Sequence, residues 1–285
     1  MASDPSNTVA YPPETLEGWY ALHQIFTLDR GPREPRTDDI VHGGVQSGVT
    51  ATQGNFPRPQ HGWTAFVRLI GSSADVMVVH FRTTLEEIGA AQSCTLQLPA
   101  VKRMRPAYSF LSVTEAGLYH LSAKLSREAA ERGGTVGDET YVKELATRAA
   151  AERDTPHVQR RLYPPIPDGM PYVCFYPMNK TRDTGQNWYT LTLDERSQLM
   201  WAHGLTGRRY SGRVVQIITG AIGFDAWEWG VTLFAKNALD FKKLVTDMRF
   251  DEVSAKYAEF GDFYVGTLMN GDVAELEQLV ETAAG

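Results

Sequence analysis

Cysteine is scarce in this sequence of 285 residues: there are two, Cys94 and Cys174. That is too few for a disulfide framework, and their spacing does not suit a metal clip, so the composition points to a reduced, cytoplasmic setting. The seven histidines include no zinc-like pair at ligand spacing. No phosphate-cradling glycine loop, no dinucleotide fingerprint after a strand and no nucleophile elbow is present, which weakens nucleotide and hydrolase readings. No apolar run is long enough to span a bilayer. Basic charge is not in excess either: 28 Lys and Arg against 34 Asp and Glu leave a net charge of -6, which argues against a nucleic-acid footprint. A local basic cluster could still hold an anionic ligand. Met1 to Thr15 is polar and lacks the basic start and apolar stretch of a secretory signal, so residues 1–15 read as a flexible tail.

What remains is an ordinary globular composition, 42% hydrophobic and 22% charged, in a chain long enough for one large or two smaller domains. The clearest rhythm starts at Pro171. Tyr172 to Met178 is rich in aromatic and branched residues and predicts a strand. Thr192 with Glu195 three positions on is a capping-box pair, and it predicts a helix with Leu199, Met200 and His203 along one face. Two strands follow, Val214 to Thr219 and Glu228 to Phe234, joined through Gly220-Ala221-Ile222-Gly223. Ala238 to Arg249 carries the stripe Phe241, Leu244, Val245 and Met248 and predicts a second helix. Asp262 to Met269 closes the series as a strand. The order β-α-β-β-α-β is that of a ferredoxin-like unit.

The N-terminal half repeats this rhythm more loosely. Gly18 to Leu28, Trp63 to Ile70, Asp75 to Arg82 and Tyr108 to Thr114 predict strands, and Thr84 to Cys94 a helix. Ser122 to His157 is rich in Ala, Glu, Lys and Arg and predicts helix. The expected organisation is therefore α+β: a tail (1–15), a first ferredoxin-like unit (16–121), a helical insertion and connector (122–160) and a second unit (161–285). The two sheets would join into a small barrel.

Chemistry concentrates in Tyr172-Val173-Cys174-Phe175-Tyr176-Pro177-Met178-Asn179-Lys180. Strand alternation puts Tyr176, Met178 and, if the strand continues, Lys180 on one face. A phenol, a thioether and an ammonium so aligned suit a flat apolar ligand with carboxylate arms. The same alternation also describes a half-buried edge strand with a solvated lysine, and the residues alone leave both open. His203 shares an apolar helix face and is followed by Gly204, which leaves room for close approach; a satisfied boundary histidine has the same pattern. Gln216, mid-strand between Val214 and Ile218, needs a partner if buried. Arg161, near Tyr163-Pro164-Pro165, could fork onto a carboxylate or stay in solvent.

Taken in order, Tyr176-Pro177-Met178-Asn179-Lys180, Asn187-Trp188-Tyr189, His203-Gly204 and Gly207-Arg208-Arg209-Tyr210 resemble the coproheme decarboxylases of the chlorite dismutase superfamily. So do Gln216-Ile217-Ile218-Thr219-Gly220, Phe224-Asp225, Glu228-Trp229-Gly230-Val231-Thr232-Leu233 and Met248-Arg249-Phe250-Asp251-Glu252. The resemblance is dense from Arg161 to Leu268 and thin before Tyr108, and the insertion after Tyr119 departs from compact members.

The resemblance implies an enzyme of haem biosynthesis that binds iron coproporphyrin III in its C-terminal half. Hydrogen peroxide would drive oxidative decarboxylation of two propionates to vinyls, giving haem b. It implies His203 as the axial iron ligand, Tyr176 as the residue that carries a radical and Lys180 as the partner of the reacting propionate. Pro177, Met178, Asn179, Trp188 and Gln216 would line the porphyrin pocket, with Arg161, Ser254 and Tyr108 holding propionates. Gln216 would lie on the distal side of the iron, where chlorite-degrading relatives carry an arginine. A homopentameric ring and a transient contact with the coproporphyrin ferrochelatase are further implications. The alternatives within reach are a chlorite dismutase-like or peroxidase-like enzyme and a non-catalytic haem-binding or haem-delivery protein.

Overall fold

A computed structural model describes residues 10–29, 59–269 and 273–284. In chain order its elements are β1 (Thr15–Leu28), β2 (Trp63–Leu69), β3 (Val76–Arg82), α1 (Leu85–Gln97), α2 (Pro99–Lys102) and β4 (Met104–Gly117). Three helices follow, α3 (Tyr119–Glu131), α4 (Glu139–Arg153) and α5 (Pro156–Leu162). Then come β5 (Tyr172–Lys180), the small hairpin β6 (Arg182–Asp183) and β7 (Gln186–Asn187), a 3-10 turn (Trp188–Thr190) and α6 (Leu193–Arg208). The rest is β8 (Val214–Gly220), β9 (Trp229–Ala235), α7 (Leu239–Arg249), α8 (Glu252–Tyr257), β10 (Ala258–Phe260), β11 (Tyr264–Leu268) and α9 (Val273–Ala284).

The strands run β5-β11-β2-β3-β1-β4-β8-β9, and β9 pairs back to β5, so the sheet closes on itself as an antiparallel barrel. Within it lie two four-stranded halves, β2-β3-β1-β4 and β11-β5-β9-β8, each in ferredoxin-like order. The halves meet edge to edge, β11 on β2 and β4 on β8. Closure of this kind removes the exposed edges each half would have alone. The fold is thus the α+β barrel of tandem ferredoxin-like units that the sequence rhythm predicts. No helix among the described residues is long and apolar enough to cross a membrane.

Alternation along the strands divides the core. Ile25, Trp63, Phe81, Phe110, Val173, Phe175, Ile217 and Phe234 fill the barrel interior. Cys174, Tyr176, Val214, Val231 and Leu233 face outward against Phe241 and Leu244 of α7. Each large side chain buried this way contributes roughly 1.5–3 kcal/mol. The two helices that open with a full capping box, α1 and α6, start at the residues the sequence marks. The Thr84 hydroxyl accepts from the Glu87 amide in α1, and that of Thr192 accepts from the Glu195 amide in α6. The helical connector begins at Tyr119, three residues before the predicted Ser122, and α3 packs along α6 with an Arg127–Asp194 ion pair. Of the predicted tail, residues 1–9 lie outside the described residues, while residues 10–14 lie over the same helices, the Glu14 amide donating to the Ser122 hydroxyl and Arg196 to the Tyr11 carbonyl. The sequence rhythm does not mark three of the helices, α2, α8 and α9; α9 buries Leu276 and Val280 against the outer face of β2 and β3.

Two histidines are buried, His23 inside the barrel and His80 on the outer face of β3 behind α1. His23 stacks on Phe175 at 4.1 Å and its Nε2 meets the Thr232 hydroxyl at 2.8 Å. His80 lies between the hydroxyls of Thr64 and Thr95. Burial lowers both pKa values from 6.5 to about 3, and for His80 the Arg82 charge adds to the effect. A base whose folded pKa is depressed contributes full stability above its unfolded pKa and loses it as pH falls toward the folded value. Each histidine should therefore cost roughly 1.4 kcal/mol per pH unit between pH 6.5 and 3. In urea denaturation, the stability loss from pH 7 to pH 5 should be clearly smaller in His23→Phe than in the parent protein. An unchanged pH slope would contradict this.

Candidate functional site

The outer face of β5 faces the helices. Tyr172, Cys174, Tyr176 and Met178 all pack against the cluster that includes Phe241, Leu244 and Met248 of α7. Lys180 ends the strand and is buried, with 8% of its surface exposed. Lys180 is four positions on from Tyr176, a span of about 13 Å along a strand. Pro177 and Asn179 belong to the opposite face. Pro177 occupies the gap where β11 has left the edge of β5 and β10 begins, a position at which a missing amide proton costs no ladder bond. Its carbonyl accepts from the Gly261 amide at 2.9 Å. A side chain at Gly261 would collide with the Pro177 ring, only 2.8 Å from a Cβ there. Asn179 accepts from the Glu228 amide at 2.8 Å. These two residues shape the strand rather than the outer face.

Tyr176 lies in an aromatic nest, stacked on Phe263 at 4.4 Å with Phe260 at 5.8 Å. Burial, with a smaller push from Cys174, raises its pKa well above the ordinary phenol range, so the hydroxyl keeps its proton. Lys180 places its ammonium on the ring of Trp188, 4.6 Å from the centroid. Desolvation lowers the lysine pKa to about 8, against the opposing pull of Asp251 and Glu228 at longer range. Glu228 accepts from the Lys180 backbone amide at 2.9 Å and pairs with Arg182 at 3.0 Å. Trp188 is fully buried between Lys180, Tyr119 and Tyr257.

His203 stands on α6, which the Thr192 capping box starts. Its Nδ1 lies 2.9 Å from a carboxylate oxygen of Asp251, the N-cap of α8. Burial alone would raise the Asp251 pKa. The His203 hydrogen bond, the Ser254 amide and the His203 and Lys180 charges outweigh it and hold the carboxyl below its usual range. An ionised carboxylate can only accept, so Nδ1 carries the proton and Nε2 keeps its lone pair for a metal. A side chain at Gly204 would meet nothing within 4 Å, so the helix is open at the position after His203. One turn on, a Cβ at Gly207 would come within 3.3 Å of Met248 and 3.4 Å of the Gln216 amide nitrogen. The C-terminal turn of α6 is thus held directly over Gln216 on β8. Gln216 shares the outward face with Val214, and β9 alone separates its strand from β5.

An imidazole oriented by a carboxylate, a neutral amide on the strand beneath the same helix, a buried phenol and a buried ammonium resting on a ring fit an iron porphyrin with carboxylate arms. His203 could ligate the iron and Lys180 could hold one arm. Ser254 is buried in α8, its amide donating to Asp251. Arg161 is exposed at the end of α5; partial desolvation and the Arg208 guanidinium both lower its pKa, which puts two cations near the C-terminus of α6. Tyr108 is not brought to this face. It points into the barrel interior beside Phe110 and Tyr264, and its hydroxyl donates to Asp225 at 3.4 Å. The sequence reading missed Asp251, Glu228 and the ring Phe263. Only Asp251 carried a local signal, the Asp-x-x-Ser pattern of an N-cap.

Residues 46–269 match the family described as chlorite dismutase. A coproheme decarboxylase of Staphylococcus saprophyticus subsp. saprophyticus is 37% identical over 266 residues, 91% of this chain and 95% of that protein. Among solved structures, a heme-binding protein from Thermus thermophilus aligns with a TM-score of 0.70 at 33% identity, covering 96% of this chain and 99% of its own. Chlorite dismutase from Candidatus Nitrospira defluvii in complex with imidazole aligns with a TM-score of 0.59 at 18% identity, over 94% and 96% of the two chains. The last of these speaks for the fold alone.

Proposed function

The chain belongs to the chlorite dismutase family, and we propose that within it this protein is a coproheme decarboxylase, an enzyme of haem synthesis. One observation carries the reading. An oxidisable phenol and a buried ammonium share the outer face of β5, under a helix whose histidine is oriented by a carboxylate. The substrate is iron coproporphyrin III and the co-substrate hydrogen peroxide. Bound iron porphyrin supplies the oxidising power once peroxide reacts with it.

The chain's own groups then do the following. His203 holds the iron through Nε2 while Asp251 fixes its tautomer. Gln216, a neutral amide, lies across from it and gives no fixed positive charge to stabilise an oxidised chlorine species, which disfavours the chlorite-degrading reading. Tyr176 gives up an electron and its phenolic proton. The resulting phenoxyl takes a hydrogen atom from the β-carbon of a propionate and is a phenol again. A second electron leaves the propionate as its carbon–carbon bond to the carboxylate breaks, releasing carbon dioxide and leaving a vinyl group. Per propionate, one peroxide and one proton are consumed and two waters form. Lys180 holds the departing carboxylate, and the apolar nest of Phe260 and Phe263 keeps water from the radical. Arg161 and Ser254 hold other propionates, and Met178 and Trp188 shape the pocket.

Conversion of added coproheme to haem b under hydrogen peroxide tests the reading. The same family resemblance supports a homopentameric ring. Light scattering should give five protomers per particle at micromolar concentration, and a clean monomer would contradict the ring.

A further inference from the structure

We propose that the Lys180 ammonium guards Trp188 against oxidation, and so keeps the oxidising equivalent on Tyr176. The inference rests on the decarboxylase reading and adds a second task for Lys180. Trp188 is an indole with 1% of its surface exposed, and indoles lose an electron about as readily as phenols. It sits at the Lys180 end of β5, on the strand face that also carries Tyr176. Left unguarded, it would compete for the same electron hole.

The contact that opposes this is on the ring itself. The Lys180 Nζ stands 4.6 Å from the Trp188 ring centroid. A cation there is attracted to a neutral indole and repelled by an indole radical cation, in a buried site where charges are poorly screened. Tyr176 is spared this penalty, because it loses its proton together with its electron and ends as a neutral phenoxyl. The asymmetry favours Tyr176 whatever the oxidant.

The surroundings show why a guard matters. Trp188 touches two further oxidisable rings, Tyr119 at 6.3 Å and Tyr257 at 5.6 Å. Tyr257 borders a cleft of about 350 Å³ between α6 and α8. A hole on Trp188 would therefore have an aromatic route to the surface and away from the propionate. If it stays on the ring, loss of a second electron and addition of water leave a hydroxylated indole, one oxygen heavier. Both electrons pass to the peroxide-oxidised porphyrin, so an equivalent of peroxide is spent without decarboxylation.

The guard can be discharged. The carboxylates facing Lys180 are Asp251, which is bonded to His203, and Glu228, which is paired with Arg182. Burial outweighs their pull and lowers the ammonium pKa to about 8. Above that pH the indole faces a neutral amine.

The experiment maps oxygen addition by peptide mass spectrometry after repeated peroxide additions to the iron-porphyrin-loaded protein. The parent protein at pH 6.5 should leave Trp188 intact. Lys180→Met should oxidise it several-fold more, as should the parent above pH 9, while Lys180→Arg should protect it at both pH values. In the porphyrin-free protein, the Trp188 share of indole emission, taken as parent minus Trp188→Phe, should titrate with the lysine. Equal oxidation of Trp188 in the parent and Lys180→Met, or oxidation independent of pH in the parent, would overturn the proposal. Haem b yield in the parent protein at pH 6.5 reports on the decarboxylase reading, since the Lys180 variants are expected to lose turnover as well. A parent protein that makes no haem b yet spares Trp188 only while Lys180 is charged would sink that reading and leave the guard standing.

Discussion

Tyr176→Phe should bind coproheme with near-parental affinity, still consume peroxide, and form haem b at least ~100-fold more slowly, the scale of loss when a group acting only in the chemical step is removed. Phenylalanine keeps the ring that stacks on Phe263 and Phe260, so packing and the pocket persist. What disappears is the phenolic hydroxyl between Cys174 and Met178 on the outer face of β5, a group that can be oxidised without leaving a charge behind. The pKa held high by burial means that the parent phenol meets the oxidant protonated at any working pH, so no pH adjustment should rescue the variant. Tyr172 and Tyr189 flank the site and serve as controls, since their phenylalanine variants should keep substantial turnover. Haem b formation by Tyr176→Phe at a rate close to that of the parent would remove the phenol from the mechanism.

The second large effect is expected at His203. Changing an outer-shell partner of a metal ligand costs about 10–100-fold in affinity or activity, and loss of the ligand itself should cost at least as much. His203→Ala should shift or abolish the ferric porphyrin absorption bands and weaken coproheme binding to that extent. Added imidazole should restore part of the spectrum by filling the space that the deleted side chain leaves. Unchanged bands with unchanged affinity would mean that another histidine ligates the iron. His23 and His80 are poor substitutes, since both are fully buried, His23 inside the barrel with Nε2 on Thr232 and His80 behind α1 between Thr64 and Thr95.

Local signals carried much of this. The Thr192–Glu195 pair places the start of α6, and period-two alternation places Tyr176, Met178 and Lys180 on one face of β5. The same alternation puts Pro177 and Asn179 on the other face, where the structure has them. What the sequence could not give was long-range. The β11–β2 and β4–β8 seams pair strands from different halves, and no local pattern records that register. Asp251 is marked as an N-cap by its spacing to Ser254, but its bond to His203 joins residues 48 apart. Tyr108 was expected at a propionate, and the inward parity of β4 sends it to Asp225 instead. Lys180 looked exposable, because burial of an ammonium against Trp188 depends on the turn after β7, which α3 braces through Tyr119.

The central claim is that this chain turns the propionates of coproheme into vinyls. The most direct measurement adds hydrogen peroxide stepwise to the anaerobic coproheme-loaded protein and follows porphyrin mass by chromatography and mass spectrometry. The account predicts loss of one carboxyl unit and then a second, through a mono-decarboxylated intermediate, ending in haem b after about two equivalents of productive peroxide. Bleaching of the porphyrin with all four propionates intact would contradict it.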